Sequence, residues 1–147
     1  MELKIYRAQA PGGRLMANLR YISLHRNGGQ IFLSARLCVE LDMTTDHRLL
    51  IARDGESGRW YMSFGEAKSC PGGIRLRKSG KTAEARARTR ALTASNREAG
   101  EDILDDVGAD NSAVFLVDMK PKEQDGLKWY QILTKRPVRK DNIYENL

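Results

Sequence analysis

The sequence predicts an α+β fold: a mostly antiparallel, barrel-like β unit with two short helices, built from an internal duplication. Three observations support this prediction. Short runs of alternating apolar and polar residues are typical of half-buried strands. Two stretches that each follow a serine carry apolar residues at helical spacing, which is typical of a helix packed on a core. The order of segments at 31–63 recurs in a looser form at 92–134, and such recurrence indicates related structural units.

The two copies align residue by residue. Ser34 precedes the first predicted helix and Ser95 the second, and an apolar run follows at 49–51 and at 115–117. Each copy then ends in a Trp-Tyr pair. The alternative is that two unrelated β-turn-β segments both end in Trp-Tyr, but the shared order of segments favours duplication. We therefore predict an N-terminal half, a C-terminal half and a tail at 1–70, 71–134 and 135–147.

Hairpin signals dominate the first half. Asn27-Gly28 lies between two strand-like runs, and this dipeptide favours a type I′ turn because both central residues then have positive φ. The run 19–24 alternates, which places Tyr21 and Ser23 on one face of a strand and Ile22 on the other. Strands are predicted in this half at 1–9, 19–24, 30–33, 48–53 and 59–64.

Each half has one predicted helix. Ser34 is expected to cap a helix over 35–42. In the second half, Ser95 and Glu98 have the spacing of a capping box, in which each side chain bonds the backbone of the other residue. Gly108 suits the left-handed residue that ends this helix. The other strands are predicted at 74–77, 85–92, 112–118 and 128–134.

Charge is distributed unevenly along the chain. The net charge is +6, and the window 75–90 accounts for all of it, with seven basic residues and one acidic residue. The window 98–110, around the second helix, holds six acidic residues and no basic one. If 85–92 is extended, three of its arginines share one face. The basic residues of the window are Arg75, Arg77, Lys78, Lys81, Arg86, Arg88 and Arg90.

These seven cations are the candidate nucleic-acid-binding residues, because phosphate neutralisation requires several cations on one surface. Two other roles are compatible with the same pattern. Charges protect an edge strand against aggregation, and a basic surface docks onto an acidic protein surface. The acidic window 98–110 of a second copy would provide such a surface and make a homo-oligomer. Its carboxylates lack the spacing of a calcium loop and are expected to form a solvated helix face.

Aromatic residues provide a second, weaker signal. Trp60-Tyr61 and Trp129-Tyr130 alternate across predicted strands, so one ring of each pair should face the core. An exposed ring near cations would suit single-stranded nucleic acid.

Other classes of function lack support in the sequence. No apolar run is long enough to span a membrane, and the charged N-terminal residues do not fit a signal peptide. Cys38 and Cys70 lack metal spacing and are expected to be free thiols in a reducing, cytoplasmic environment. His25 and His47 have no ligand or catalytic partner at a recognisable spacing. We therefore expect no cofactor and no enzymatic activity.

The segment order resembles the swapped-hairpin DNA-binding domains of the AbrB/SpoVT type. The resemblance rests on the strand 30–33, Ser34, the helix 35–41 and the apolar run 49–51. Members of that family typically show a strand, Pro, a helix, Leu-Gly, and then Gly-Asp before the next strand. Here Ser34 replaces the Pro, and Asp42 replaces the Gly.

The resemblance implies that the halves interlace their hairpins. Two tandem copies in one chain would then form internally the unit that this family assembles from two chains. The sequence thus predicts a non-enzymatic nucleic-acid-binding or regulatory protein. A structural protein of a virion or mobile element, which assembles through its basic and acidic surfaces, is the alternative.

Overall fold

The structure is a computed structural model, and it describes residues 1–5 and 14–138. The described residues form ten strands in two antiparallel sheets together with short helices, which confirms the predicted α+β class. The helices are α1 (Arg14–Ala17), α2 (Ala35–Leu41), α3 (Ala83–Arg88) and α4 (Arg97–Val107). The strands are β1 (Tyr21–His25), β2 (Gln30–Leu33), β3 (His47–Arg53), β4 (Trp60–Glu66), β5 (Ile74–Arg75), β6 (Arg77–Lys78), β7 (Leu92–Ser95), β8 (Ser112–Leu116), β9 (Lys122–Gln124) and β10 (Leu127–Ile132).

The first sheet has the strand order β6-β7-β2-β1-β8, and the second has the order β5-β3-β4-β10-β9. Two seams join them into a barrel-like unit. At one seam, residues 74–78 (the crossing segment) pair first with β3 of the second sheet and then with β7 of the first. At the other seam, Val117 bridges Ile132, beyond the end of β8.

The main hydrophobic core lies between the sheets and takes residues from both halves of the chain, and a smaller cluster around Met16 and Leu19 packs against Tyr21. Alternation along the strands points one side chain in two inward, so Ile22 and Leu24 of β1 and Leu49 of β3 are fully buried. The helix α4 adds Ile103 and Leu104 to this core. Burial of these apolar surfaces is the main force that holds the sheets together.

The predicted β1–β2 hairpin is confirmed, but its turn differs from the prediction. His25 pairs with Gln30, so the loop has four residues rather than the two of a type I′ turn. Arg26 is helical, and the left-handed positions are Gly28 and Gly29, with φ of 75° and 61°. The positive-φ positions are therefore one residue further along the chain than the predicted pair Asn27-Gly28, because two adjacent glycines follow Asn27.

Both predicted helices are present. Ser34 caps α2, since its hydroxyl accepts a hydrogen bond from Leu37 N. The cap of α4 was predicted wrongly as Ser95. Ser95 lies in β7, paired with Gln30, and the side chain of Asn96 accepts from Ala99 N at 2.9 Å instead. Strand pairing holds Ser95 extended and exposed, which leaves the capping position to the next residue.

The predicted strand at 85–92 is wrong. Residues 83–88 form α3, whose first turn is capped by the Thr82 hydroxyl, and strand structure begins only at Leu92. Alanine and arginine both favour helix, and this local preference prevails because residues 83–88 are exposed. Residues 1–5, within the predicted first strand, have no regular structure, and 6–9 lie outside the described residues.

The predicted duplication stays a prediction. The strands before the two helices, β2 and β7, are neighbours in the first sheet, and β4 and β10 are neighbours in the second. The strands that follow the helices, β3 and β8, belong to different sheets.

The β1–β2 turn and α4 are joined by a close backbone approach. Asn96 N donates to Gly29 O at 2.9 Å, and a Cβ added to Gly100 would lie 3.3 Å from Gly29 Cα. A Cβ on Gly29 would lie 2.7 Å from the carbonyl carbon of Asn96 and still closer to the backbone of Arg97. No side chain fits between these backbones, so glycine is required here.

We predict that Gly29→Ala lowers the free energy of unfolding by about 2–3 kcal/mol more than Gly28→Ala, because only the first creates a backbone clash. Gly28 is the matched control: its φ is 75°, and the nearest atom to an added Cβ is 3.9 Å away. Its replacement should cost about 1–2 kcal/mol for the left-handed conformation alone. Urea unfolding measures both, and equal losses would contradict the close approach.

A second prediction compares Ser34→Ala with Ser95→Ala. The Ser34 hydroxyl is buried, donates to Leu19 O, and accepts from Leu37 N and Tyr21 N. Its loss should cost about 2–3 kcal/mol, since buried backbone groups lose their partners. The exposed Ser95 should be replaceable within about 0.5 kcal/mol. Urea unfolding of the two variants checks this, and a comparable loss in Ser95→Ala would contradict the reassigned cap.

Candidate nucleic-acid interface

The crossing segment positions the first candidate residues. Its side chains alternate: Leu76 is 2% exposed and belongs to the core, whereas Arg75 and Arg77 are exposed on either side of it. Arg75 lies opposite Arg48 of β3, and Arg77 lies opposite Thr93 of β7. The burial of one leucine thus directs two arginines outward at the seam between the sheets.

A groove of about 680 Å³ runs along this seam, and we call it the basic groove. Four of the seven candidate cations line it, and none of its lining residues in the described part of the chain is a carboxylate. Hydrogen-bonding side chains complete the lining, so the groove offers both positive charge and neutral polar groups. The cations are Arg75, Arg77, Lys78 and Lys81, and the polar residues include Gln30, Ser79, Thr93 and Ser95.

The other three candidate cations do not line the basic groove. Arg86 and Arg88 lie on α3, and Arg90 follows it, all exposed. The predicted single row of these arginines along a strand is therefore wrong, because a helix distributes successive residues around its axis. Arg86 donates to Gly80 O at 3.3 Å, which holds α3 against the loop at the edge of the groove.

Within the described part of the chain, none of the seven cations forms an ion pair. The Lys78 ammonium donates to the carbonyl of Thr89 at 2.9 Å, which positions it without neutralising it. Unneutralised cations that converge on one groove attract anions, because each keeps its full charge for an incoming ligand.

The acidic helix α4 is more engaged than the sequence predicted. Asp106 accepts a hydrogen bond from the Trp60 indole at 2.9 Å, and Arg53 lies 4.0 Å from it. Asp105 pairs with Arg26 at 2.8 Å. Arg26 also donates to the carbonyls of Ala109 and Asp110, just past the C-terminal end of the helix. Asp105 and Asp106 are exposed, as expected for a solvated helix face, but they also form contacts that stabilise the fold.

Other carboxylates of α4 lie beside one side of the basic groove. Glu98 and Asp102 line a neighbouring cavity of about 280 Å³. Ile74 lines both this cavity and the basic groove. A polyanion in the groove is thus repelled from the side of α4.

The predicted burial of one ring in each Trp-Tyr pair is confirmed, but the other two rings do not lie at the basic groove. Trp60 and Tyr130 are buried, at 6% and 7% exposure, and Tyr61 and Trp129 are partly exposed on the outer face of the second sheet. Lys122 lies over the Tyr61 ring, 5.7 Å from its centroid. None of these four rings lines the basic groove.

Two other aromatic residues lie beside the groove, and the sequence analysis did not select them. Tyr21 of β1 and Phe32 of β2 lie on the outer face of the first sheet, with ring centroids 5.8 Å apart. They line a cavity of about 360 Å³ that shares three lining residues with the basic groove. The alternation of 19–24, which separates Tyr21 from the buried Ile22, was the available signal. The shared residues are Gln30, Ser79 and Thr93.

The histidines and cysteines have local roles. The ring of His47 accepts from Thr44 N at 3.0 Å in a turn. Both cysteines are buried free thiols, and burial raises the pKa of Cys38 to about 11. Among the described residues, no group of three or more metal-ligating side chains is close enough to hold an ion. The helices within this part of the chain are too short or too polar to cross a bilayer.

Comparison with known proteins returned no relative: no protein-family model, curated protein or solved structure matches this chain. The resemblance to the AbrB/SpoVT domains therefore stays a prediction.

We predict that Arg75→Gln and Arg77→Gln, singly or together, change the free energy of unfolding by less than about 0.5 kcal/mol, because neither guanidinium has a partner in the described fold. Arg26→Gln is the contrast. It removes a pair to Asp105 and two hydrogen bonds to carbonyls, and should cost about 1–2 kcal/mol after screening of the partly exposed pair. Urea unfolding compares them, and a large loss in the groove variants would assign those arginines to the fold.

Proposed function

We propose that this protein binds nucleic acid through the basic groove and acts without catalysis. The groove itself is the observation that supports the proposal. Four cations that have no carboxylate partner among the described residues converge on it at the seam of the two sheets, beside polar side chains. A phosphate backbone neutralised by such cations releases its condensed counterions, which is the main source of sequence-independent affinity.

The rigidity of the seam also favours this function. Arg75 and Arg77 are anchored through the burial of Leu76, and the backbone on both sides of Leu76 is paired in a sheet. Cations held on paired backbone lose less freedom on binding than cations on a free loop. The buried free thiols Cys38 and Cys70 are consistent with a reducing compartment such as the cytoplasm.

The assembly alternative has less support. Asp105 and Asp106 already have partners within the chain, so fewer carboxylates remain to receive a basic surface. The acidic residues of the window that are left for such a contact are Glu98, Glu101, Asp102 and Asp110. Self-association that is lost at high salt would favour this alternative.

Fluorescence anisotropy with short duplex and single-stranded oligonucleotides across a salt series tests the proposal. We predict binding near about 50 mM salt, with log affinity falling linearly with log salt. Replacing the four groove cations with Gln should reduce the magnitude of that slope by about three, since each neutralised phosphate contributes about 0.7–0.9. The replaced residues are Arg75, Arg77, Lys78 and Lys81.

A matched control removes the same total charge elsewhere. Four exposed lysines outside the groove are replaced with Gln, namely Lys68, Lys120, Lys122 and Lys128. If the groove is the site, this control changes the slope by less than about one, because distant charges are screened. Equal effects of the two sets would show that net charge alone drives binding. No binding of the unmodified protein at about 50 mM salt would refute the proposal.

A further inference from the structure

We infer that the ligand of the basic groove is a single-stranded nucleic acid whose bases stack on Tyr21 and Phe32, while its phosphates lie along the groove. We call these two rings the aromatic platform. The inference rests on the proposed function and specifies its ligand. It also gives a role to two rings on the outer face of the first sheet that lie outside the main core and do not line the groove.

Strand register connects the groove to the platform. Arg77 lies opposite Thr93, Thr93 lies opposite Phe32, and Phe32 lies opposite Ser23. Directly opposed residues in antiparallel strands point to the same face, so these side chains form one row across the sheet. With strands about 4.8 Å apart, Arg77 and Phe32 are separated by about 10 Å at the backbone. This arrangement places a cation and a ring within reach of one short stretch of nucleotides.

The two cavities form one continuous surface. Gln30, Ser79 and Thr93 line both the basic groove and the cavity at the platform. Their amide and hydroxyl groups both donate and accept hydrogen bonds, as recognition of base edges requires. His25 is exposed at the same cavity and adds a ring nitrogen. From the groove to the platform, the surface therefore changes from cations to neutral polar groups and then to aromatic rings.

The charges on the two sides of the groove favour one path for a bound strand. On the side of Ile74, the groove adjoins the cavity that contains Glu98 and Asp102, where a phosphate is repelled. On the side of Thr93, it adjoins the platform cavity, whose lining includes no carboxylate among residues 1–5 and 14–138. A bound strand is thus expected to run from the groove across the first sheet, over Phe32.

Single-stranded rather than duplex nucleic acid follows from the chemistry of stacking. Base faces in a duplex are covered by neighbouring bases and cannot contact a protein ring without being unstacked. A single strand exposes these faces, and a sheet that presents aromatic rings beside a basic groove binds them in a sequence-tolerant manner. Phe32 is partly exposed near the middle of the sheet, and Tyr21 is packed at one side against Met16 and Leu19 near α1.

The test compares a single-stranded DNA oligonucleotide with an abasic oligonucleotide of the same length, by anisotropy at one salt concentration. The two probes carry the same phosphate charge, so their difference isolates the bases. We expect the abasic strand to bind about tenfold to a hundredfold more weakly, as the loss of one or two stacked bases implies. A duplex of the same length should also bind more weakly than the single strand.

Phe32 variants locate the effect. Phe32→Leu should remove most of the difference between the base-containing and abasic probes, and Phe32→Tyr should retain it, since the ring face is kept. Tyr61→Leu, on the outer face of the second sheet, is the matched control and should leave the difference unchanged. Urea unfolding confirms that each variant is folded before it is compared.

The outcomes separate this inference from the proposed function. Equal affinity for the base-containing and abasic probes would refute stacking. If the slope of log affinity against log salt still depends on the groove cations, the proposed function is retained. Tighter binding of the duplex would refute the preference for single strands. If neither probe binds at low salt, the proposed function itself fails. A difference that persists in Phe32→Leu would place stacking away from the platform and overturn the assignment.

Discussion

The burial of Leu76 is the constraint on which the seam and the candidate site depend. This side chain enters the core between two short strands that belong to different sheets, so a single residue marks the place where the chain changes partners. Its neighbours must then point outward, and both are arginines. Barrel closure and the presentation of positive charge are consequently two effects of the same backbone path. A polar residue at this position would remove the apolar anchor of the seam and release both arginines together.

Charge in this chain is separated by structure as well as by sequence. Two exposed carboxylates of the acidic helix α4 have partners within the chain: Asp105 pairs with Arg26, and Asp106 lies near Arg53 and accepts a hydrogen bond from the Trp60 indole. The basic window has no such partners among the described residues and keeps its charge for solvent or a ligand. The two windows of opposite charge therefore have different physical roles. One window stabilises the packing of a helix, and four cations of the other line a groove.

The sequence predicted the features that local patterns control. Alternation identified β1 and its buried face, and Ser34 was correctly expected to cap α2, because each depends on neighbours along the chain. The alternating arginines of segment 85–92 predict a strand, and this prediction is wrong because the preference of its alanines for helix prevails. The proximity of Phe32 to the basic groove was beyond sequence reasoning. It depends on β2 pairing with β7 and β7 with β6, and long-range register is visible only in the fold.

The hydrogen bond between Trp60 and Asp106 gives the molecule a built-in optical reporter. Trp60 is buried at the contact between the second sheet and α4, and Trp129 lies partly exposed on the outer face of the same sheet. The chain has two tryptophans, so its intrinsic fluorescence comes from one apolar, hydrogen-bonded indole and one indole near water. A movement of α4 alters the emission of the first indole and leaves the second in place. Each tryptophan retained alone therefore reports a different face of the second sheet.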